Sequence, residues 1–375
     1  MKRWFYFLSL LVVFSLVIGV ASCNKTTPSP SPITSSSPAP VPTPTPTVQP
    51  IVLSMAPINV PPPPAGGQTI NFTNQAKLIE TKTNGRVKIE IYWAQALAPV
   101  NQIVNAASTG VADIGAIAAA QEPGKVPLDM VAQLPGYGID YWAQSMAFWD
   151  LMNQDPLLSQ YAKFNLLPFS LDFIPDYYLI SRAPINSVAE LKGKKLQATG
   201  FVADTLAGLG AVPIAMSPPE QYEGMQKGTI DGNTAPYSAI NDFKFYEVAK
   251  YIEQFPFGGR VQAVLINKDS WNKISPSDQK IIKSLVPDFI QCNIDAFFAK
   301  DQPLFPLTPQ LVQDNKVQFI KASDADIAAI QKVQAGQADK WAADQEKAGL
   351  PGNKVLADYR ALVAKYAKIS TFAFK

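Results

Sequence analysis

The residue types that usually carry catalysis are scarce in this chain. It contains no histidine, and its two cysteines, Cys23 and Cys292, are far apart in sequence. The absence of histidine excludes Ser-His-Asp and Cys-His nucleophile systems and the commonest zinc sites. No Walker-type phosphate loop occurs, and Gly208-x-Gly210 is followed by Pro213 where a dinucleotide fingerprint needs a third glycine. No carboxylate pair is singled out for glycoside hydrolysis. We therefore expect a protein that is not an enzyme and that needs no cofactor or metal.

The chain begins with a targeting segment, residues 1–22. Lys2 and Arg3 precede an apolar run, which ends in Val20-Ala21-Ser22-Cys23. This is the layout of a secretory signal peptide. The last four residues resemble a bacterial lipobox, which implies cleavage before Cys23 and attachment of lipid to it. An uncleaved signal anchor is the alternative, because the run approaches the length of a membrane span. In both cases we expect an extracytoplasmic protein held at the membrane, on the cell surface or the periplasmic side.

Residues 23–50 are expected to form a lipid-anchored linker. The stretch is rich in Pro, Ser and Thr and has no acidic or aromatic residue, so it stays extended and solvated. The first 50 residues hold three of the 32 basic residues and none of the 30 acidic ones, which leaves a net charge of −1 for the remainder. Nucleic acid is therefore not an expected partner, because it requires a concentrated positive face. With Cys23 acylated, Cys292 is expected to be a buried, inert thiol.

The remaining residues alternate between helix and strand patterns, and their length suggests two lobes. Residues 87–92 alternate apolar and polar side chains, as a half-buried strand does. Three helices begin at a capping serine followed three residues later by an acid, namely Ser217, Ser275 and Ser323. The helix after Ser323 is expected to continue to Gly349. This alternation predicts an α/β fold with a ligand crevice at the strand ends.

Several segments together resemble the DctP-type solute-binding proteins of tripartite ATP-independent periplasmic (TRAP) transporters. The resemblance covers roughly residues 51–350 and is most specific over residues 220–232, which end in Gly-Thr-Ile-Asp-Gly. It implies a two-lobed, periplasmic-binding-protein-like (Venus flytrap) fold with crossing strands and a long connecting helix. It also implies capture of a small organic solute, commonly an organic acid, for delivery to a membrane permease.

The resemblance also implies a division of the chain. Lobe I is expected to comprise residues 51–176 and 261–300, and lobe II residues 177–260 and 301–350. Residues 351–375 would form a C-terminal helical segment. The chain should cross between lobes near residues 177–182 and return near residues 261–267, and both stretches are rich in β-forming residues. Gly228 is expected to end a helix, and Asp231-Gly232 to form a turn after a short strand.

The residues that face the ligand in the family differ here. The arginine that usually follows the Gly-Lys-Lys-Leu stretch is replaced here by Gln197, and an asparagine present in many members is replaced by Ala235. Some members have an arginine and an aromatic residue where this chain has Tyr177 and Pro218. A buried carboxylate without a cation is costly, so the pattern favours a ligand that is less dependent on a carboxylate clamp. The alternative is that Arg182 or Arg260 supplies the cation. The candidate ligand-binding residues are Tyr137, Tyr177, Gln197, Thr199, Ser217, Pro218, Asn233, Ala235 and Arg260.

Two other functions remain open from the sequence. A ligand-binding lipoprotein could serve a sensor kinase instead of a permease, because closure around a ligand suits both. A surface-anchored hydrolase is the third possibility, although the absence of histidine removes its usual acid–base and nucleophile groups.

Overall fold

The computed structural model describes residues 49–58, 67–137, 140–298 and 307–371. The signal segment, Cys23 and nearly all of the linker lie outside these ranges. The described strands are β1 (Ile51–Ala56), β2 (Val87–Ile91), β3 (Ile114–Ala116), β4 (Leu166–Ile174), β5 (Tyr178–Ser181), β6 (Lys195–Gln197), β7 (Val212–Ile214), β8 (Gly232–Ala235), β9 (Tyr251–Gln254), β10 (Arg260–Asn267) and β11 (Gln318–Lys321).

The α-helices alternate with these strands, as the sequence predicts. They are α1 (Gln68–Lys82), α2 (Ile103–Thr109), α3 (Tyr141–Met152), α4 (Leu157–Ala162), α5 (Gly200–Gly208), α6 (Pro218–Lys227), α7 (Tyr237–Asp242), α8 (Lys268–Lys273), α9 (Pro276–Ser284), α10 (Val286–Phe297), α11 (Pro309–Asp314), α12 (Asp324–Gln334), α13 (Gln337–Lys347) and α14 (Gly352–Ala367). Within the described ranges, no helix has both the length and the apolar character needed to cross a membrane.

The strands form two separate mixed sheets. The first has the order β2-β1-β3-β10-β4, with β10 antiparallel to both of its neighbours. The second has the order β11-β9-β5-β8-β6-β7. The first sheet packs on one large apolar core, whereas the second has a separate apolar cluster on each face. The two-sheet α/β architecture predicted from the alternation of elements is therefore present.

Two short crossings lead directly from a strand of one sheet to a strand of the other. The chain leaves β4 and enters β5 through residues 175–177, and it returns from β9 to β10 through residues 255–259. The two crossings bond to each other: the amide of Tyr177 donates to the carbonyl of Gly258 at 3.2 Å, and the amide of Phe257 donates to the carbonyl of Tyr177 at 3.2 Å. Strand pairing is thus nearly continuous from one sheet into the other.

The three predicted helix starts are confirmed. Ser217, Ser275 and Ser323 directly precede α6, α9 and α12, and each binds the acid three residues later. The single helix expected from Ser323 to Gly349 is instead two helices. Ala335 is extended and Gly336 has φ 83°, so the backbone breaks between α12 and α13. Glycine is the least favourable helix residue after proline. The apolar residues keep a helical spacing on both sides of Gly336, and the sequence pattern therefore predicted one helix.

The last helices pack on helices that follow strands of both sheets. Strand β11 joins the second sheet, and α12 packs on α5. Helix α13 packs on α14 and also donates from Gln337 Nε2 to Thr205 Oγ1 of α5 at 3.1 Å. Helix α14 packs on α3, where the Tyr366 hydroxyl donates to Asp150 at 2.6 Å. On α10, Cys292 is half-buried, and burial together with nearby carboxylates raises the pKa of its thiol to about 11.

Asp231 and Gly232 have architectural positions, although the expected turn after a strand was wrong. Gly228 ends α6 with φ 76°, as predicted, and Gly232 begins strand β8. The Asp231 carboxylate accepts from the amide of Lys195 at 2.8 Å, which ties the start of β8 to β6. A Cβ on Gly232 would lie 2.8 Å from the carbonyl oxygen of Ile180 in β5, so only glycine permits this pairing.

Replacing Gly232 therefore has a defined structural cost. Gly232→Ala should lower the free energy of unfolding by about 2 kcal/mol or more, because the clash is with backbone and not with a movable side chain. Gly124→Ala is the matched control, since nothing lies within 4 Å of its added Cβ. Its stability should change by less than about 0.5 kcal/mol. Urea unfolding of both variants tests this, and equal effects would contradict the close approach at Gly232.

A second prediction concerns Asp129, in the 3-10 turn Pro127–Gln133. Its carboxylate is buried and accepts from the Tyr161 hydroxyl at 2.8 Å and from Gln160 Nε2 at 2.9 Å. Burial raises the pKa of Asp129 to about 7. The folded pKa lies above the unfolded value near 4, so the fold favours the protonated carboxyl group. The stability gained from protonation is complete below about pH 4 and is lost as the pH rises from there through the folded pKa of about 7.

Asp129→Asn keeps an acceptor for these donors and removes the titration. We expect it to match the parent near pH 4 and to exceed it near pH 8 by roughly 2 kcal/mol, with about 4 kcal/mol as the upper bound from the pKa difference. Urea unfolding at the two pH values measures the effect, with the exposed Asp324→Asn as control. An equal loss of stability at both pH values would show that the ionised carboxylate is the form the fold needs.

Candidate functional site

A cavity lies where the two crossings separate the sheets. Its volume is about 120 Å³, and its wall is drawn from both sheets and from the crossings themselves. The side chains in the wall that matter below are Gln121, Gln133, Tyr177, Gln197, Thr199, Phe201, Ser217, Pro218, Gln221, Thr234, Ala235, Asp242, Phe243, Phe257 and Arg260.

Arg260 is the cation of this wall. It is the first residue of β10, opposite Ile174 of β4, so the strand pairing that follows the second crossing positions it. The centre of its guanidinium lies 5.2 Å from the centroid of the Tyr177 ring, a cation–π contact. Its Nε is buried without a hydrogen-bond partner, and no ion pair among the described residues includes it. The planar donors of Arg260 are therefore available to an anion.

Tyr177 supports this guanidinium from the first crossing. Burial raises the pKa of its hydroxyl, and the nearby positive charge of Arg260 opposes that rise only in part. The hydroxyl therefore stays protonated at neutral pH and can donate a hydrogen bond into the cavity. The backbone bonds of Tyr177 to Phe257 and Gly258 hold its ring in place.

Gln197 provides a neutral amide in the same wall. It ends β6 and is 5% exposed, and its backbone carbonyl accepts from the Thr234 hydroxyl at 2.9 Å. Its side-chain amide makes no hydrogen bond with the described residues, which leaves both its donor and its acceptor for a ligand.

Four further predicted residues line the cavity. Thr199 precedes α5, and Ala235 ends β8. Pro218 begins α6, and the hydroxyl of Ser217 donates to the Glu220 carboxylate at 2.7 Å within the helix cap. Ser217 therefore already uses its proton in holding the helix start.

Two predicted residues lie outside the described wall. Asn233 is buried beneath it and donates from Nδ2 to Gln221 Oε1 at 3.0 Å, so it orients Gln221. Tyr137 packs edge-on against Tyr359 with ring centroids 4.8 Å apart, and its buried hydroxyl has no partner. The side chain of Arg182 lies against Gly228 and is not part of the wall.

The sequence analysis did not select several lining residues. Gln133 lies four residues before Tyr137, the residue that the sequence analysis predicts in this segment. Asp242, the last residue of α7, follows no motif. Its only hydrogen bond with the described residues is a long one, 3.4 Å from Asn241 Nδ2. Burial raises the pKa of Asp242 to about 7.

Arg260 and Asp242 are the charged side chains among the described residues of the wall. Around them lie neutral amides, hydroxyls and the rings of Tyr177, Phe201, Phe243 and Phe257. No group of three or more Cys, Asp or Glu residues within the described ranges is placed to hold a metal ion. The wall is suited to a small organic molecule with an anionic group and an apolar body.

The unpartnered cation should reduce stability. Arg260→Met removes a half-buried charge that forms no ion pair with the described residues, so the unfolding free energy in the absence of ligand should rise by about 1 kcal/mol. Arg86→Met is the contrasting control, because the Arg86 guanidinium bonds the buried Asp278 carboxylate at 2.6 Å. That variant should lose about 1 kcal/mol or more. Chemical denaturation of both variants is the measurement, and a comparable loss in Arg260→Met would mean that Arg260 supports the fold.

Comparison with known proteins agrees with this architecture. The model of the DctP family, described as bacterial extracellular solute-binding protein, family 7, matches residues 63–345. The sialic acid-binding periplasmic protein SiaP of Vibrio cholerae is 26% identical over 219 residues, which are 57% of this chain and 68% of that protein.

Solved structures show the same fold. A TRAP solute-binding protein from Rhodoferax ferrireducens, in complex with copurified benzoate, has a TM-score of 0.74 at 22% identity and covers 85% of this chain and 99% of its own. A TRAP periplasmic solute-binding protein from Bordetella bronchiseptica, with bound (R)- and (S)-mandelate, has a TM-score of 0.71 at 24% identity, over 84% of this chain and 99% of its own. The predicted periplasmic-binding-protein-like fold is confirmed, and the chain belongs to the DctP family of bacterial extracellular solute-binding proteins, family 7.

Proposed function

We propose that this chain is the extracytoplasmic solute-binding subunit of a TRAP-type secondary transporter and that it captures a small organic acid in the cavity between its sheets. Membership of the DctP family supports the role. The observation that carries the ligand class is Arg260, a guanidinium in the cavity wall that forms no ion pair with the described residues. A binding protein must hold such a group unpaired so that the ligand can supply the counter-charge.

Arg260 also bears on the missing arginine at Gln197. The sequence favoured a ligand that needs no carboxylate clamp, and left open a cation from Arg182 or Arg260. In our proposal Arg260 takes that role, because it lines the cavity whereas Arg182 lies against Gly228. The Gln197 amide adds a neutral donor to the same carboxylate or to a neighbouring polar group.

The cavity also limits the body of the ligand. Its volume of about 120 Å³ is of the same order as the ~150 Å³ cavity that holds one benzene molecule. The rings of Phe201, Phe243 and Phe257 line it. We therefore favour an acid with one ring or a short carbon chain. The benzoate and mandelate bound by the solved relatives are acids of this size.

The same proposal covers the organisation of the whole protein. The lobes are residues 51–176 with 261–300 and residues 177–260 with 301–350, and the crossings at residues 175–177 and 255–259 support this division. Lipid on Cys23 would hold the protein at the membrane, and the loaded protein would dock on a permease. The related proteins are solute-binding receptors, which supports a binding role over an enzymatic one.

The test is ligand-induced stabilisation of the parent chain and two arginine variants. Thermal unfolding is followed against mono- and dicarboxylates, aromatic acids, sugars and polyols. An acid at about a thousand times its dissociation constant should stabilise the fold by roughly 4 kcal/mol. Arg260→Gln should abolish this shift, whereas Arg182→Gln, the matched control, should retain it.

Other results would contradict particular parts of the proposal. A shift with neutral compounds only would contradict the acid and restore the interpretation based on Gln197. Loss of the shift in Arg182→Gln but not in Arg260→Gln would show that Arg182, and not Arg260, supplies the cation. No shift with any compound would remove the support for a solute-binding role in this cavity.

A further inference from the structure

The cavity contains a second charged group that the proposed function does not use. Asp242 closes α7, and its carboxylate lines the same wall as Arg260. No ion pair among the described residues includes it, and its one hydrogen bond, from Asn241, is long. An acid of this kind on the surface would be solvated, but Asp242 is half-buried and faces a cavity partly lined by aromatic rings.

Asp242 has no evident structural purpose in the fold. Buried carboxylates that support the fold have well-made hydrogen bonds: Asp129 accepts from Tyr161 and Gln160, and Asp278 from Arg86. Among the described residues no such donors reach the Asp242 carboxylate, and an unpaired carboxylate in a partly desolvated site is unfavourable. A group kept at such a cost and directed into a binding cavity is a candidate for ligand recognition.

On the basis of the proposed function, we infer that Asp242 is the second polar anchor of the cavity and that the ligand is zwitterionic, with a carboxylate bound to Arg260 and a protonated amine bound to Asp242. The two charges of the wall then cancel, and each ligand charge meets its opposite. This assignment also accounts for the missing arginine at Gln197, because a ligand without net charge needs one guanidinium and one carboxylate. A second guanidinium would leave the complex with an excess positive charge.

The titration of Asp242 provides an independent readout. Burial raises its pKa to about 7 in the ligand-free cavity. A bound ammonium would lower that pKa, so binding near pH 7 should release protons, and affinity should fall as the pH drops below 7. The other charged side chain in the described wall is Arg260, and the other titratable one is Tyr177, whose pKa is raised by burial so that its hydroxyl keeps its proton in this range.

The experiment uses the full chain in mild detergent and matched ligand sets. The amines are 4-aminobutyrate, 5-aminopentanoate, 6-aminohexanoate and 3- and 4-(aminomethyl)benzoate. Each is compared with the isosteric acids in which a methyl or a hydroxyl group replaces the amine. We expect at least one amine to bind about tenfold more tightly than both of its partners at pH 8, with a smaller preference at pH 6. Calorimetry in buffers of different ionisation enthalpy should show proton release near pH 7.

Variants locate the effect. Asp242→Asn should remove the preference for the amine and the proton release, whereas Glu247→Gln, an exposed acid five residues further on, should retain both. The thermal midpoint without ligand checks that each variant folds.

Equal binding of amines and methyl isosteres would overturn the inference and leave the proposed function standing. Preference for the hydroxyl acids, or a preference for amines that survives in Asp242→Asn, would also overturn it. Loss of all acid binding in Arg260→Gln, together with an intact amine preference in the parent, supports both proposals. If no acid or amino acid of the sets stabilises the parent, the proposed function itself fails.

Discussion

The rest of the structure depends on the pairing of the two crossings. Tyr177 exchanges backbone hydrogen bonds with Phe257 and Gly258, so the chain enters and leaves the second sheet side by side. Gly259 makes this approach possible, because an added Cβ would lie 2.5 Å from the carbonyl oxygen of Ile174 and from the Tyr141 hydroxyl. Arg260 follows directly as the first residue of β10. One backbone constraint therefore joins the sheets, sets the cavity wall and places its cation.

The polar groups in the wall and directly beneath it divide according to whether their hydrogen bonds are already made. Ser217, Asn233 and Thr234 are bonded within the protein and hold helix α6, Gln221 and strand β6 in position. Gln197 and Arg260 retain their donors, because no described residue satisfies them. This division separates groups that shape a site from groups that can bind in it, since a buried polar group without a partner is otherwise unfavourable.

A cation can reach the site from a strand other than the one where the family resemblance predicts it. Strand β6 ends in the neutral Gln197, whereas Arg260 brings a guanidinium to the same cavity from β10. Strand β6 ends and strand β10 begins at the same crevice, so the electrostatic environment depends on their summed charges and not on one motif position. The Tyr177 ring beneath Arg260 makes this arrangement tolerable, because a cation over an aromatic face recovers part of its lost solvation.

The sequence alone was sufficient for the features that arise from neighbouring residues. The capping serines Ser217, Ser275 and Ser323 and the alternation of strands with helices depend on local hydrogen bonds and periodicity. The same alternation and the family resemblance predicted the α/β class. Only the tertiary structure showed that the helix after Ser323 breaks at Gly336.

Which polar side chains reach the cavity was likewise decided by the tertiary structure. It placed Arg260 rather than Arg182 in the wall, Asn233 beneath it, and Asp242 within it. The direction of a side chain depends on strand register and on contacts between residues far apart in sequence, and no local pattern records these.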